Sequence, residues 1–398
     1  YLFFADTVSP GDEYFVISNE RSASPKYYYT KNFLNLRGIT QQTDYISITH
    51  PKFLNGVQNY IQTISSLFNL TTSVFNVNDI YDEFSYGYPY PEAIRLFSNI
   101  LYTNAQDPKP QYLTLIGDAS YDYKYFLGVT GGKNYVPSYG NPVSDNWYAV
   151  WDINAPPIPQ LKVGRIPINE SYELDYYLDK IVNNELKPFD EWNKRYLLFS
   201  GGIDPGEYTI LKSANDSIVS KFLTPKPVAG NYTHFYKTIS PPSDFGPYSP
   251  EEIQRAISSG GLFISYIGHS GTATWDNSIN STNQLYNSVD RNPLITDFGC
   301  STNKYAEPNI ICFGERFLFN STGQALGYVG NSSLGFQSTA ITAPNYFYGE
   351  IFNDSLSEVG NAHLLSKVEL FNRNGNSSVN RIYALTNIIL GDPVVRLK

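Results

Sequence analysis

The sequence predicts an α/β protein of two tandem subdomains, each with a mainly parallel sheet covered by helices. Short, almost continuously apolar segments alternate with segments of helical periodicity along most of the chain, a pattern typical of parallel sheets. The alternation occurs twice, before and after a charged, proline-containing connector at Lys187–Arg195. A length of 398 residues also exceeds what one ordinary hydrophobic core supports.

Residues 43–190 are predicted to form the first subdomain. They follow a segment without clear periodicity, residues 1–42, which we interpret as a lead-in arm or the end of a preceding domain. Proline begins the second helix, where its missing N–H costs nothing. In chain order, the predicted elements are the strand Thr43–His50, the helix Val57–Phe68, the strand Thr71–Asn78, the helix that Pro91 begins, the strands Gln111–Asp118 and Leu161–Ile168, and the helix Ser171–Leu186.

Residues 191–398 are predicted to form the second subdomain. Two of its strands, Gly261–Ile267 and Asn292–Gly299, are apolar along most of their length, and we expect them to be adjacent and parallel. In chain order, the other predicted elements are the strand Arg195–Gly202, the helix Leu211–Leu223, the strand Asn231–Ile239, the helix Pro250–Ser258 and the strand Gly323–Asn331.

The composition excludes two classes of protein. A net charge of −9 without a basic stripe argues against nucleic acid as a partner. No apolar run reaches about 18 residues, so no transmembrane segment is expected. The chain begins at Tyr1 without a signal peptide and contains no methionine, and we interpret it as a processed piece of a longer protein.

One of the four histidines and one of the two cysteines stand in similar settings. His269, within GHSG, and Cys300, within FGCST, each follow a predicted strand closely. Because ligands of open parallel sheets bind beyond the carboxyl ends of the strands, we expect the two side chains to face each other there. An imidazole takes the thiol proton, and the thiolate then attacks a carbonyl carbon. The pattern therefore predicts a cysteine nucleophile.

The alternatives are structural. Each residue alone is more often an ordinary packed or exposed side chain, and the flanking glycines also fit a tight turn. Cys312 lacks a comparable setting and is expected to be structural, although one disulfide between it and Cys300 stays open. The remaining histidines, His50, His234 and His363, look ordinary.

Other chemistries fit the sequence less well. The GHSGT segment departs from the G-x-S-x-G motif because Thr272 takes the place of the last glycine. No P-loop, dinucleotide-binding glycine motif, HExxH motif or zinc-type Cys/His spacing is present. Asp118 and Asp122 form a weak candidate cation site, and solvated loop acids are the better interpretation.

Six stretches of the sequence resemble the gingipain-like cysteine peptidases, the family called C25. They occur in family order between about Thr43 and Lys398: YLTLIGDASYDY, LKVGRIPI, FISYIGHSGTATW, LITDFGCST, GQALGYVGNSSLG and NIILGDPVVRL. The resemblance implies two α/β subdomains, of which the second is caspase-like. It also implies that His269 and Cys300 are the catalytic dyad, and that the backbone N–H groups of Ser270 and Cys300 form the oxyanion hole.

The sequence departs from the family in its details. The family commonly has glycine directly after the histidine, whereas Ser270 stands here and glycine is deferred to Gly271. The family acid that orients the histidine matches a glycine here, so we assign this role to Asp204, the nearest acid, with Glu207 as the next. The acid that gives some members a preference for basic side chains is not evident, and specificity for Arg or Lys is not assumed.

Residues beside the dyad are the candidates for contacts with substrate. We assign Gly271, Trp275 and Ser301 to substrate binding. The aromatic-rich segments Tyr121–Trp151 and Phe336–Tyr348 are candidates for a cover that keeps water from a thioester, although loops packed between the subdomains explain them equally well. We expect no required cofactor; a structural calcium ion stays open, and its ligands are unknown.

The block NDIYDEFSYGYPYPEAIR at Asn78–Arg95 looks more like the PorU-type sortases of the type IX secretion system in Bacteroidetes, which belong to the same family. This resemblance implies a transpeptidase that removes C-terminal sorting domains from exported proteins and attaches the new carboxyl end to the cell surface. The implied partners are those exported proteins and other secretion components, and the implied location is the outer surface or the medium. A secreted endopeptidase without transfer and a non-catalytic surface scaffold are the alternatives.

Overall fold

The computed structural model of the chain describes residues 30–124, 126, 134–152, 154–238, 245–276, 278–287, 290–319, 324–352 and 357–398. Residues 35–398 group into one unit. Most of the predicted lead-in segment, residues 1–29, lies outside the described residues.

The first part of the sheet has four strands in alternation with helices: β1 (Tyr45–Thr49), α1 (Leu54–Phe68), β2 (Thr72–Asn76), α2 (Val77–Phe84), α3 (Pro91–Asn104), β3 (Tyr112–Ile116), β4 (Lys162–Ile166) and α4 (Ser171–Leu186). The strands pair in parallel in the order β2–β1–β3–β4. The predicted strand and helix alternation is confirmed here. The α-helix α2, which follows β2 directly, was not predicted.

The second part contains β5 (Arg195–Ser200), α5 (Pro205–Ile218), β6 (Asn231–Tyr236), α6 (Pro250–Ser258), β7 (Phe263–Ile267), β8 (Ser270–Gly271), β9 (Thr274–Trp275), β10 (Leu294–Asp297), α7 (Phe313–Phe319), β11 (Gly327–Asn331), α8 (Gln337–Phe352), α9 (Val359–Asn374), α10 (Ser378–Thr386) and β12 (Asn387–Leu390). Five of these strands pair in parallel in the order β6–β5–β7–β10–β11, β12 is antiparallel to β11, and β8 and β9 form a separate hairpin.

One ten-stranded sheet includes both parts, because β12 lies between β11 and β4. It meets β4 at the pair Leu390–Arg165. One hydrophobic cluster also draws on both parts, from Tyr45 to Leu397. The mixed α/β class with mainly parallel strands is therefore as predicted, but the two predicted sheets are joined in one. The boundary between subdomains at residue 190 stays a prediction. Within the described residues, no helix combines the length and the apolarity that crossing a bilayer requires.

The strands β7 and β10 are adjacent and parallel, as predicted, with Phe263 opposite Leu294 and Tyr266 opposite Asp297. Every residue of both strands is buried, which explains why their sequences are almost continuously apolar. Their carboxyl ends lie side by side at one edge of the sheet. The segments that follow them are therefore neighbours in space.

Candidate active site

His269 lies in the turn after β7, and its side chain is 52% exposed. Its carbonyl oxygen accepts hydrogen bonds from the Tyr266 hydroxyl and from the N–H of Asp276, the latter at 2.8 Å. Gly268 is required before it, because a Cβ atom there would lie 2.4 Å from the Tyr266 hydroxyl oxygen. The turn therefore fixes the backbone of His269 while the ring stays accessible.

The carboxylate beside His269 belongs to Glu207 and not to Asp204. The Nε2 atom of His269 lies 3.0 Å from Oε2 of Glu207. Asp204 is the N-cap of α5, and its Oδ1 accepts the N–H groups of Gly206 and Glu207 at 2.8 and 3.0 Å. The assignment of Asp204 as the orienting acid is thus corrected, because its carboxylate satisfies the helix start. The order Asp-Pro-Gly-Glu, typical of an N-cap followed by proline, is the signal that could have separated the two acids.

Cys300 lies three residues beyond the end of β10, with a partly exposed free thiol. Gly299 lets the two loops approach, because a Cβ atom there would lie 2.1 Å from Oγ of Ser270. The Sγ atom of Cys300 accepts the N–H of Gly335 at 3.2 Å, a hydrogen bond that would also serve a thiolate. Sequence reasoning missed Gly335, since its contribution comes from the backbone alone.

The predicted oxyanion hole is partly occupied by the protein itself. The N–H of Cys300 donates to Oγ of Ser270 at 2.5 Å. The same hydroxyl lies 2.9 Å from the carbonyl oxygen of Cys300 and 3.3 Å from Oδ1 of Asp297, and it has one proton to donate between them. Glycine at position 270 could not make these contacts. In this structure the N–H of Cys300 is therefore not free for an oxyanion, contrary to the expectation from the sequence.

Trp275 is a core residue, which corrects its assignment to substrate binding. Its side chain is 0% exposed and stacks on Tyr266, with the ring centroids 4.5 Å apart. Trp275 lies opposite Ser270 in the β8–β9 hairpin, so both side chains point to the same inner face. There, Nε1 of Trp275 donates to Oδ2 of Asp297 at 2.7 Å.

Asp297, which was not among the predicted site residues, hydrogen-bonds to several groups on the buried side of the site. Its Oδ1 accepts the N–H of Gly299 at 2.7 Å, and its Oδ2 also accepts the hydroxyl of Tyr328 at 2.9 Å. Burial raises the pKa of Asp297 to about 6, and the N–H of Gly299 opposes this shift. The aspartate ends an apolar strand, and nothing in the local pattern distinguishes it from a solvated loop acid.

Gly271 and Ser301 are close to the dyad in the sequence and make contacts through backbone atoms. Gly271 pairs with Thr274 in the hairpin, and Ser301 has a φ of 59° and donates its N–H to the carbonyl of Ser333 at 2.8 Å. Neither residue is among the described residues that line the cavity beside the dyad. Their roles in substrate binding stay predictions.

The two aromatic segments proposed to cover the thioester lie in different surroundings. Phe336, at the start of the second segment, lines the cavity beside Cys300. In the first segment, Trp147 and Tyr148 are buried in a separate apolar cluster, as expected for a packed loop, and residues 125 and 127–133 lie outside the described residues. Among the described residues of the two segments, those that line the cavity belong to the second segment.

His269 and Cys300 line the same cavity, whose volume is about 210 Å³. No hydrogen bond joins the two side chains in the described structure. The other walls come from α5, from the loop after β10 and from the start of α8, and they include Glu207, Leu211, Phe298, Gly335, Phe336, Gln337 and Ala340. The two residues that the sequence singled out are therefore brought together at one concave site.

A second cluster has the residue types of a Ser-His-Asp triad, but its serine is buried. Nε2 of His234 lies 2.8 Å from Oγ of Ser200, and its Nδ1 lies 3.0 Å from Oδ1 of Asp216. Ser200 is fully buried, and its hydroxyl also contacts the carbonyl of Leu211 at 3.1 Å. Burial lowers the pKa of His234 to about 4. The cluster anchors α5 on the sheet and so helps to place Glu207.

The remaining candidates from the sequence, Cys312, Asp118 and Asp122, are in the core or bind backbone N–H groups. Cys312 is buried with a free thiol, and burial raises the pKa of that thiol well above its usual value. Oδ1 of Asp118 accepts the N–H of Ala119, and Oδ1 of Asp122 accepts the N–H of Phe126, at 2.8 and 2.9 Å. In the described part of the chain, no group of three or more His, Cys, Asp or Glu side chains is placed to hold a metal ion, and a structural calcium ion stays a prediction.

Two solved structures resemble this fold, and a third superposes less well. The Arg-specific cysteine proteinase gingipain R (RgpB) superposes with a TM-score of 0.71 at 16% identity, over 93% of this chain and 80% of that chain. RgpB in the complex of its pro- and mature domains, from Porphyromonas gingivalis, gives a TM-score of 0.71 at 18% identity over 89% and 79% of the two chains. Latent PorU from the same organism gives a TM-score of 0.44 at 16% identity, over 90% of this chain and 30% of that chain.

Comparison with sequence families gives the more specific result. Among curated proteins, none matches the sequence significantly. The sequence model of the family described as "Peptidase family C25" matches residues 39–398. That range includes every strand of the sheet, as well as His269 and Cys300, and on this basis the chain belongs to peptidase family C25.

Proposed function

We propose that the chain cleaves peptide bonds through a covalent thioester on Cys300, with His269 as the residue that transfers protons. One observation carries the proposal: both side chains line a single cavity of about 210 Å³ beyond two adjacent parallel strands. Membership of a cysteine peptidase family supports the same chemistry.

The contact with Glu207 assigns the two ring nitrogens of His269 to different tasks. The carboxylate lies 3.0 Å from Nε2, so the proton of the neutral ring resides on Nε2 and donates to it. Nδ1 is then the atom that takes the thiol proton. Sγ attacks the scissile carbonyl carbon, the protonated ring gives its proton to the departing amine, and a thioester remains on Cys300.

A second nucleophile completes the cycle. Water, or an amine in its place, loses a proton to Nδ1 and attacks the thioester, and Sγ leaves as the thiolate and is reprotonated. The N–H groups of Ser270 and Cys300 are the proposed donors to the oxyanion of each tetrahedral intermediate. Because the Cys300 N–H donates to Oγ of Ser270, this hydroxyl must turn away for both donors to act.

Substitution of the two residues tests this function. Cys300→Ala and His269→Ala should each lower kcat for a peptide mixture by several orders of magnitude, and the double variant should lose little more, because the two residues act as a unit. Cys312→Ala is the matched control and should keep near-normal activity, since that thiol is buried away from the cavity. Additive losses, or an active Cys300→Ala variant, would overturn the proposal.

Transfer to an amine is the finer candidate, and the resemblance of Asn78–Arg95 to PorU-type sortases favours it. In that case the substrates are exported proteins with C-terminal sorting domains, the partners are components of type IX secretion, and the site of action is the cell surface. A cargo-derived peptide incubated with an amine acceptor should give a joined product that depends on Cys300. If hydrolysed peptide is the sole product at saturating acceptor, with the complete protein and its partners present, a plain endopeptidase is favoured. If no reaction occurs at all, a non-catalytic scaffold is favoured.

A further inference from the structure

We infer that the cavity beside Cys300 receives an uncharged, apolar side chain of about the size of Leu, Met or Phe. This side chain is carried by the residue that supplies the scissile carbonyl, the P1 residue. The inference rests on the proposed function and names the substrate class of the same site.

The position of the cavity identifies which side chain enters it. During reaction, the P1 carbonyl carbon is bonded to Sγ of Cys300, and the P1 side chain branches from the next atom of the substrate chain. It is therefore the substrate side chain that lies nearest the nucleophile. Since Cys300 and His269 form one wall of the cavity, the space available next to the reacting carbon is this cavity.

The floor of the cavity is apolar. Leu211 from α5, Phe298 from the loop after β10, and Ala340 from α8 line it and are almost fully buried. Phe336 adds an aromatic, half-buried wall. Burying apolar substrate atoms against such a surface is favourable. In hydrophobic pockets, one methylene changes kcat/KM by about 10- to 200-fold.

The one carboxylate among the described lining residues, that of Glu207, is already engaged. Its Oε2 lies 3.0 Å from Nε2 of His269 and accepts the N–H of Ile203 at 3.0 Å. Farther along α5, the carboxylate of Asp216 also has a cationic partner. It pairs with Lys212 at 2.6 Å, and the ammonium of Lys212 lies over the ring of Tyr236 on β6. A guanidinium or ammonium in the cavity would therefore lose water and would have to share the single carboxylate of the described lining with His269.

The size of the cavity sets the range of side chains. A cavity of about 150 Å³ lined by Leu, Ile and Phe is large enough to bind benzene, and this one has about 210 Å³. A phenyl, isobutyl or thioether side chain fits such a space. Alanine or glycine at P1 would leave most of it unfilled.

The test uses fluorogenic peptides that differ only at P1, with Leu, Phe, Met, Ala, Arg, Lys and Asp. For the whole chain, kcat/KM for Leu, Met or Phe should exceed that for Arg, Lys and Asp by about 100-fold and that for Ala by about 10-fold, by analogy with other hydrophobic pockets. Arg or Lys equal to or better than Leu, Met and Phe would overturn the inference.

A pair of variants locates the P1 side chain. Gln337 lines the cavity from the exposed first turn of α8, and Ser338 is its exposed neighbour outside the lining. Gln337→Glu should raise the ratio of kcat/KM for Arg over Leu by about 10-fold, because the new carboxylate lines the cavity. Ser338→Glu adds a similar charge outside the lining, where solvent screens it from the substrate side chain, and should leave the ratio within about 2-fold. Equal changes in both variants would mean that P1 lies elsewhere, and would overturn the inference.

Different results would contradict the apolar pocket and the proposed function. If cleavage depends on Cys300 but basic P1 residues are preferred, the apolar pocket is wrong and the proposed function stands. If no peptide in the set is cleaved and a peptide aldehyde fails to form a thiohemiacetal with Cys300, both are wrong.

Discussion

The Nε2 atom of His269 lies 3.0 Å from the Oε2 atom of Glu207, although 62 residues separate them in the chain. The same carboxylate oxygen accepts the N–H of Ile203 at 3.0 Å, just before the N-cap of α5. The start of this helix and the turn after β7 are thus coupled by one side chain. The helix positions the carboxylate, and the carboxylate positions the imidazole.

Glu207→Gln should therefore lower kcat by about 10- to 100-fold with little change in KM, because an amide neither fixes the ring tautomer nor stabilises the imidazolium. Asp204→Ala is the matched variant: it should lower the free energy of unfolding by about 1 kcal/mol through loss of the N-cap and leave kcat within about 2-fold. Steady-state kinetics and chemical denaturation measure the two effects. The opposite pattern would return the orienting role to Asp204.

Ser270→Ala should raise kcat/KM several-fold. The hydroxyl of Ser270 accepts the N–H of Cys300 at 2.5 Å, and its removal frees that N–H for the oxyanion. The effect can be large, because loss of a single oxyanion donor lowers kcat by about 10²- to 10³-fold. Ser270→Thr keeps a hydroxyl and serves as the control. A lower activity in the alanine variant would mean that the hydroxyl instead holds the Cys300 backbone in place.

Trp275→Phe should lower stability and leave KM unchanged. The indole N–H donates to buried Asp297 at 2.7 Å, and the phenyl ring cannot replace it. Leaving a buried polar group without one of its partners costs about 1–3 kcal/mol. Denaturant titration checks this loss, and a large rise in KM at normal stability would restore Trp275 as a contact to substrate.

The free energy of unfolding should rise between pH 7 and pH 8. Burial lowers the pKa of Lys180 to about 7 and that of Lys367 well below its ordinary value. Between pH 7 and pH 8 the unfolded chain keeps the Lys180 proton whereas the folded chain loses it, so this lysine raises stability with pH by up to about 1.4 kcal/mol per unit. The lowered pKa of Lys367 acts in the same direction.

Lys180→Met tests that assignment, because it removes the group that loses its proton. The free energy of unfolding of this variant should depend on pH less steeply than that of the original chain over the same range, by up to about 1.4 kcal/mol per unit. A stability of the original chain that is flat or falls from pH 7 to pH 8 would contradict the lowered pKa of Lys180.

The sequence was sufficient for features that depend on local pattern. Apolar runs predicted β7 and β10, and the position of His269 and Cys300 just beyond them placed both at one edge of the sheet, since parallel strands share that edge. These inferences needed only the period of each segment and its order in the chain.

The features that the sequence misjudged depend on side-chain direction. Asp204 and Glu207 are three residues apart, and only the helix start decides which of them caps and which reaches His269. Trp275 and Ser270 point inward together because the hairpin places them opposite each other, a register that adjacency to His269 does not reveal. The N–H of Gly335 could not be predicted because any residue carries such a group.

Cys300 as the nucleophile and His269 as its partner are best tested by the intact mass and peptide map of the chain after reaction with a peptidyl acyloxymethyl ketone that carries Leu at P1. We predict one adduct per chain, located on Cys300, absent in Cys300→Ala, and formed much more slowly in His269→Ala. An adduct on Cys312, or one on Cys300 that forms equally fast without His269, would contradict it.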